Sequence, residues 1–302
     1  MRSLSFRLAM LLGAVALAGG CALDTPVLQR GASESMGVLL NLSCGAHPCD
    51  AIDPCKPTIV LTHGWNPLPE RIRCTFAPNS SAALRRRCGD SYNLLIWDWN
   101  GVHVPVFNDG PVRTGRQQGR MMAAALRARG VQPARTQIIA HSLGTVATAQ
   151  AALCLADLGP FAQLTLLDPP RVMHEVIFDQ LCATQHARCV ENYWAPGTAG
   201  YGAPVHRAGV RNYRVYGPHP VVGTVDLSRS SHVYVMLWYY NTIRCPQMDF
   251  GFQTSAFVHC CGRAGQDETE GDAEPAPPAI ETAAAPPTWD EIAVAPRTMV
   301  WQ

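Results

Sequence analysis

Short, near-continuous apolar runs alternate along this chain with stretches whose apolar positions recur at helical spacing. Four runs stand out: Thr58-Ile59-Val60-Leu61-Thr62, Asn93-Leu94-Leu95-Ile96-Trp97, Thr136-Gln137-Ile138-Ile139-Ala140 and Leu164-Thr165-Leu166-Leu167. Their length reads as strand, and their lack of apolar/polar alternation predicts strands covered on both faces. Weaker strand candidates follow at 190–194 and 213–216. Between the second and third runs, Met121, Met122, Ala125 and Leu126 share one face of a helix predicted over 115–128. Further helices are predicted over 146–158 and 233–243. Strands alternating with helices predict an α/β fold: a mostly parallel central sheet with right-handed crossovers, flanked by helices, in a single domain. No internal repeat is visible.

The ends of the chain have a different texture. Residues 1–20 carry Arg2 and Arg7, then an apolar stretch over 8–17, then Gly19-Gly20, the anatomy of a secretory signal peptide. The apolar stretch is shorter than the roughly 20 residues a membrane span needs. Leu17-Ala18-Gly19-Gly20-Cys21 resembles a bacterial lipobox, although Ala18 stands where Leu is usual. That resemblance implies lipidation of Cys21, a membrane-surface anchor and a tether over 21–35; simple secretion is the alternative. The main domain is expected over 36–262. Beyond it, 263–302 opens with Asp, Glu, Ala, Pro and Gly and few large apolar residues, so a disordered tail is predicted. Trp289 and Trp301 near its end are expected to suit it to docking on a partner surface.

Composition sharpens this outline. The chain is 47% hydrophobic and 16% charged, which suits one large core. Its 24 basic and 23 acidic residues are unevenly placed: 263–302 holds 2 basic and 8 acidic, leaving 22 and 15 upstream. No basic stripe is interleaved with aromatics, so nucleic-acid binding is not expected. Arg85-Arg86-Arg87 reads as a solvated loop. Twelve cysteines without paired Cys-x-x-Cys spacing argue against a zinc site. Clustering of Cys44, Cys49, Cys55, Cys74 and Cys88 reads as disulfides of an exported protein. Cys154, inside an apolar helical stretch, is the candidate for a free thiol.

The candidate chemistry centres on Ala140-His141-Ser142-Leu143-Gly144. It follows an apolar strand and opens a small-residue helix, Thr145-Val146-Ala147-Thr148-Ala149, which is the setting of a nucleophile elbow. A turn that tight requires small residues two positions either side of Ser142, and Ala140 and Gly144 comply. The alternative is a helix-capping serine. A serine hydroxyl needs a base, and the base an orienting acid, here in the order Ser, acid, His. Asp168, in Leu167-Asp168-Pro169-Pro170, lies just past a strand's C-terminal end, where open α/β sheets place their sites; Asp226 is its rival. His232, after Ser228-Arg229-Ser230-Ser231, stands before the last helix and is the candidate base, with His206 and His219 as alternatives. Oxyanion donors are expected at the backbone N–H of Leu143 and of Trp65, which ends Thr62-His63-Gly64-Trp65. His63 is expected to hold that loop. Trp65, Tyr193, Trp194 and Tyr201 either line an acyl pocket or are core.

Taken in order, His63-Gly64-Trp65, Asn93 to Asp98-Trp99, Ala140 to Gly144, Leu167-Asp168-Pro169 and His232 with Tyr239-Tyr240 resemble the lipase family that includes pancreatic lipase. The resemblance spans about 55–243. It implies an α/β-hydrolase fold and carboxylic-ester hydrolysis through an acyl-enzyme, with Ser142, Asp168 and His232 as triad, Trp65 and Leu143 as oxyanion donors, and Asp98 structural. It implies no metal or cofactor, and an ester or lipid as partner. Ala140 replaces the family's first glycine. Ser230-Ser231 stand where a lid cysteine would, so that lid is missing; Cys182 and Cys189 could bracket only a small loop. The family's lipid-binding β-sandwich is missing too, which favours soluble or medium-chain esters as a rival to fat. A thioesterase, amidase, acyltransferase or non-catalytic binding lipoprotein would share much of this pattern.

Overall fold

The computed structural model describes residues 37–43, 51–64, 76–99, 109–196, 201–215, 221–222, 225–226, 231–247 and 250–258. The leader with Cys21, the loop carrying Trp65, His219 and the tail beyond 258 lie outside the described residues.

The chain folds around a seven-stranded sheet. In chain order its strands are β1 (Val38–Asn41), β2 (Thr58–Thr62), β3 (Asn93–Asp98), β4 (Thr136–His141), β5 (Gln163–Leu167), β6 (Val190–Trp194) and β7 (Val210–Arg214). Their order across the sheet is β1-β3-β2-β4-β5-β6-β7. Only β1 runs antiparallel, pairing Val38 with Asp98 and Asn41 with Leu95; β2 to β7 are parallel. A separate two-stranded ladder joins β8 (Val221–Val222) to β9 (Val225–Asp226). With a tight serine turn after the central strand β4, this is the α/β-hydrolase fold.

Among the described residues four α-helices cover the sheet: α1 (Phe76–Cys88), α2 (Gly110–Ala128), α3 (Gly144–Cys154) and α4 (Ser231–Arg244). Side chains alternate along each strand, so one strand feeds both layers. Val60, Leu95, Ile138, Leu164 and Val190 pack with Met122, Leu126 and Val146 of α2 and α3. Ile59, Leu61, Leu94, Ile96, Ile139 and Leu167 pack with Leu84 of α1 and Val235 and Tyr239 of α4. Double burial accounts for the unbroken apolar runs.

Several expectations need correction. The strand expected over 213–216 lies at Val210–Arg214, an edge strand with half-exposed side chains. Helix α1 replaces the expected loop around Arg85-Arg86-Arg87. Arg86 alone of the three is exposed. Arg87 donates to the Thr242 and Ile243 carbonyls, both at 3.2 Å, and to Gln253 Oε1 at 2.6 Å. It thus satisfies carbonyls at the C-terminal end of α4 that have no helical partner. Arg85 donates to the Leu42 and Ser43 carbonyls. Among the cysteines, Cys88 is disulfide-bonded, whereas Cys55, Cys154, Cys182, Cys189 and Cys245 are free. Cys55 therefore leaves the disulfide cluster, and Cys182 and Cys189 close no loop.

Candidate active site

Ser142 sits where β4 turns into α3. Its φ of +55° is in the left-handed region, costly for a residue with a side chain and tolerated only where surroundings enforce it. The enforcement is visible: Ser142 N–H donates to the Leu167 carbonyl at 3.0 Å, and the Ser142 carbonyl accepts from Thr145 N–H at 3.0 Å and Thr145 Oγ1 at 2.5 Å. Space is as tight as backbone. A Cβ on Gly144 would lie 2.5 Å from the His63 carbonyl oxygen, and one on Gly64 would lie 2.4 Å from Ser142 Cβ and 2.9 Å from its Oγ. The His63-Gly64 loop therefore lies directly against the serine. Leu143, helical at φ −60° and ψ −23°, opens α3, whose first N–H groups lack intrahelical acceptors and favour negative charge.

The loop beside the serine is held by His63. Its ring stacks on Trp99 with centroids 5.4 Å apart. Nδ1 faces the Gly64 carbonyl at 2.8 Å and so carries a proton, leaving Nε2 to accept from Trp99 N–H at 3.3 Å. Trp99 Nε1 donates back to the His63 carbonyl at 3.1 Å. Asp98 Oδ1 lies 3.1 Å from the same Nε2.

Asp168 directly follows β5, also with a positive φ, +48°. Its N–H donates to the Tyr193 carbonyl at 2.8 Å. The carboxylate is wholly buried. Oδ1 accepts from Ala195 N–H at 3.3 Å, and Gly202 N–H also donates to the carboxylate. Oδ2 accepts from His232 Nδ1 at 2.7 Å. Of the two acids the sequence offered, Asp168 is the one on His232; Asp226 lies in β9. Burial raises the Asp168 carboxyl and lowers the His232 imidazolium. The fall at His232 favours a neutral imidazole, and the ionised Asp168 carboxylate, which can only accept, then places the imidazole proton on Nδ1 and leaves Nε2 as the base.

His232 lies in the first turn of α4, not on the preceding loop. It is tied to the serine turn through His141, whose Nε2–H donates to the His232 carbonyl at 3.1 Å. The two rings stand 4.4 Å apart. Burial, then the proximity of His232, pushes His141 down to about 3, so it is a neutral donor. Tyr201 lies nearer still, 3.9 Å from the His232 ring. His206 is exposed.

Sequence reasoning singled out neither His141 nor Gly202. Adjacency to Ser142 was the only hint for the first, and the Gly200-Tyr201-Gly202 triplet the only hint for the second. Tyr193 belongs to the core rather than the mouth: it is fully buried and stacked on Tyr213 at 4.7 Å. Trp194 is half-buried with Arg214 over its ring. Among the described residues no three His, Cys, Asp or Glu gather as metal ligands, and no helix is long and apolar enough to cross a membrane.

No family model and no curated protein matches the chain. Solved structures similar in chain path include a carboxylesterase from Mesorhizobium loti, 17% identical, covering 72% of this chain and 98% of that one with a TM-score of 0.39. Others are an α/β serine hydrolase without a lid from Xanthomonas campestris (13%, 74% and 96%, 0.39) and a phospholipase/carboxylesterase from Dyadobacter fermentans (12%, 71% and 98%, 0.37).

Proposed function

We propose that this chain is a serine hydrolase that cleaves carboxylic esters. The observation that carries the reading is the buried His232 Nδ1–Asp168 Oδ2 hydrogen bond at 2.7 Å, locked by His141 to the turn that strains Ser142. In this reading Ser142 Oγ attacks the ester carbonyl while His232 Nε2 takes its proton. Asp168 holds the imidazole in the Nδ1–H tautomer and stabilises the imidazolium. The tetrahedral oxyanion rests on Leu143 N–H and on Trp65 N–H, each donor of this kind being worth about 2.7–4 kcal/mol. His232 then protonates the leaving alcohol, and water repeats the cycle to release the acid from Ser142. The ordered motifs shared with pancreatic-lipase-like proteins support esters over amides as substrates.

Turnover of p-nitrophenyl esters of increasing chain length, compared with matched anilides, tests this reading. Ester hydrolysis that disappears in Ser142→Ala is expected. Activity confined to anilides would replace the reading with an amidase. Export and anchoring through Cys21 belong to the same proposal: metabolic incorporation of a fatty acyl label is expected, and its retention in Cys21→Ala would remove the anchor.

A further inference from the structure

A neutral base is ideal at the start of an acyl transfer, but buried imidazole must then carry a full positive charge. Asp168 meets that charge at Nδ1. The ring also has two faces, and the groups around it are His141, Tyr201 and the Asp168 carboxylate. His141 contributes no charge, because its imidazole is held neutral with Nε2–H donated to the His232 carbonyl. Tyr201 contributes an aromatic face whose centroid lies 3.9 Å from the imidazole centroid at an interplanar angle of 37°. A cation within about 6 Å of an aromatic centroid is attracted by the negative π face, most strongly where water is excluded.

Tyr201 is also held there by design of the backbone. Gly202 donates its N–H to the Asp168 carboxylate. It does so at φ +62°, and a Cβ at this position would lie 1.9 Å from the Ala195 carbonyl oxygen. Just downstream, Asn192 Nδ2 donates to the Ala203 carbonyl at 3.1 Å. Asn212 accepts from Val205 N–H at 2.7 Å and donates to the Val205 carbonyl at 2.9 Å. Asn192, buried on β6, and Asn212, exposed on the edge strand β7, thus rivet the strap 201–205 to the sheet edge, and the strap presents Tyr201 to His232.

We infer that Tyr201 is a positioning residue whose ring stabilises the His232 imidazolium as it forms, with the strap 201–205 fixing it in advance. The inference rests on the serine-hydrolase reading above. The attraction exists only while His232 is charged, so it acts on the transition state and not on substrate binding. The aromatic face, not the hydroxyl, carries the effect.

The test replaces Tyr201 in the full chain by Phe, by Leu, and by a series of phenylalanines of increasing ring fluorination, which hold shape nearly constant while draining the π face. Tyr201→Phe should keep kcat within about twofold, while Tyr201→Leu and the most fluorinated ring should lose about 10- to 30-fold with KM little changed. The acid limb of the kcat/KM profile should move to lower pH along the series. Equal kcat across the fluorinated series would overturn the inference, as would a loss in Tyr201→Phe as large as in Tyr201→Leu. A protein that turns over no ester would remove the ester-hydrolase reading instead. In that case the His232 imidazole titration followed by NMR on the resting protein still decides: its pKa should fall along the series, and a flat series overturns the inference.

Discussion

At the residue scale, the site is built from strained or neutralised groups held by their neighbours. Ser142 and Asp168 both have positive φ, and both give their N–H to a carbonyl of the adjoining strand end, Leu167 for one and Tyr193 for the other. Parallel register therefore fixes Ser142 and Asp168 side by side. Asp168→Asn keeps the size of the side chain but reverses its hydrogen-bond preference, favouring the wrong tautomer of His232. We expect kcat to fall by about 10³–10⁴ with KM changed far less, measured in steady-state ester hydrolysis. His141 gives a pH prediction. Its folded value of about 3 lies below the ordinary 6.5, so the unfolded chain binds the proton more readily between those pH values. Stability from this group is present above about 6.5 and is lost as pH falls toward 3, by roughly 3–5 kcal/mol over the whole window. Denaturant midpoints of His141→Phe should therefore decline less steeply with acid than those of the parent.

At the element scale, legibility followed burial. Strands β2, β3, β4 and β5 were readable because both of their faces are covered, leaving unbroken apolar runs. β1 has only four residues and was not read, and β7, which carries Arg211, Asn212 and Arg214 at a half-exposed edge, was read three residues late. Helix α1 was hidden for the opposite reason: Asn79, Ser80 and Ser81 are buried polar residues in what should have been an apolar face. Its Arg87 performs work that a run of three arginines does not disclose. Arg87→Ala removes three hydrogen bonds to α4 and to 251–254, and should cost about 2–3 kcal/mol of unfolding free energy, read as a lower Tm. The positive-φ turns at Ser142 and Asp168 were readable because local motifs encode them. Gly202 and His141 act through a fold-dependent contact, which local sequence does not encode.

At the scale of the whole molecule, the fold holds two distinct polar centres. The candidate active site occupies the C-terminal ends of β4 and β5. A second buried network lies beneath residues 251–256, around Glu191 of β6, which accepts from Gln163 Nε2 at 2.8 Å, Thr254 Oγ1 at 2.9 Å and Tyr193 OH at 3.2 Å. Burial pushes the Glu191 carboxyl up to about 7. The folded state then holds a proton that the unfolded chain releases near 4.5, so stability falls as pH rises from about 4.5 to 7. Glu191→Gln should flatten that slope and match or exceed the parent's stability at pH 8, by thermal unfolding across pH. Cleavage chemistry should be unaffected in the surviving folded fraction, because the network is fastened to 251–256 and not to Ser142.

The proposed chemistry requires Ser142 to be a nucleophile activated by His232 and Asp168. The most direct measurement is mass-spectrometric mapping of the adduct left by a fluorophosphonate on the folded full-length protein. A single phosphonyl group on Ser142, absent from heat-unfolded protein and strongly slowed in Asp168→Asn, is the predicted result. No adduct on well-folded protein, or an adduct on any other residue, would contradict it.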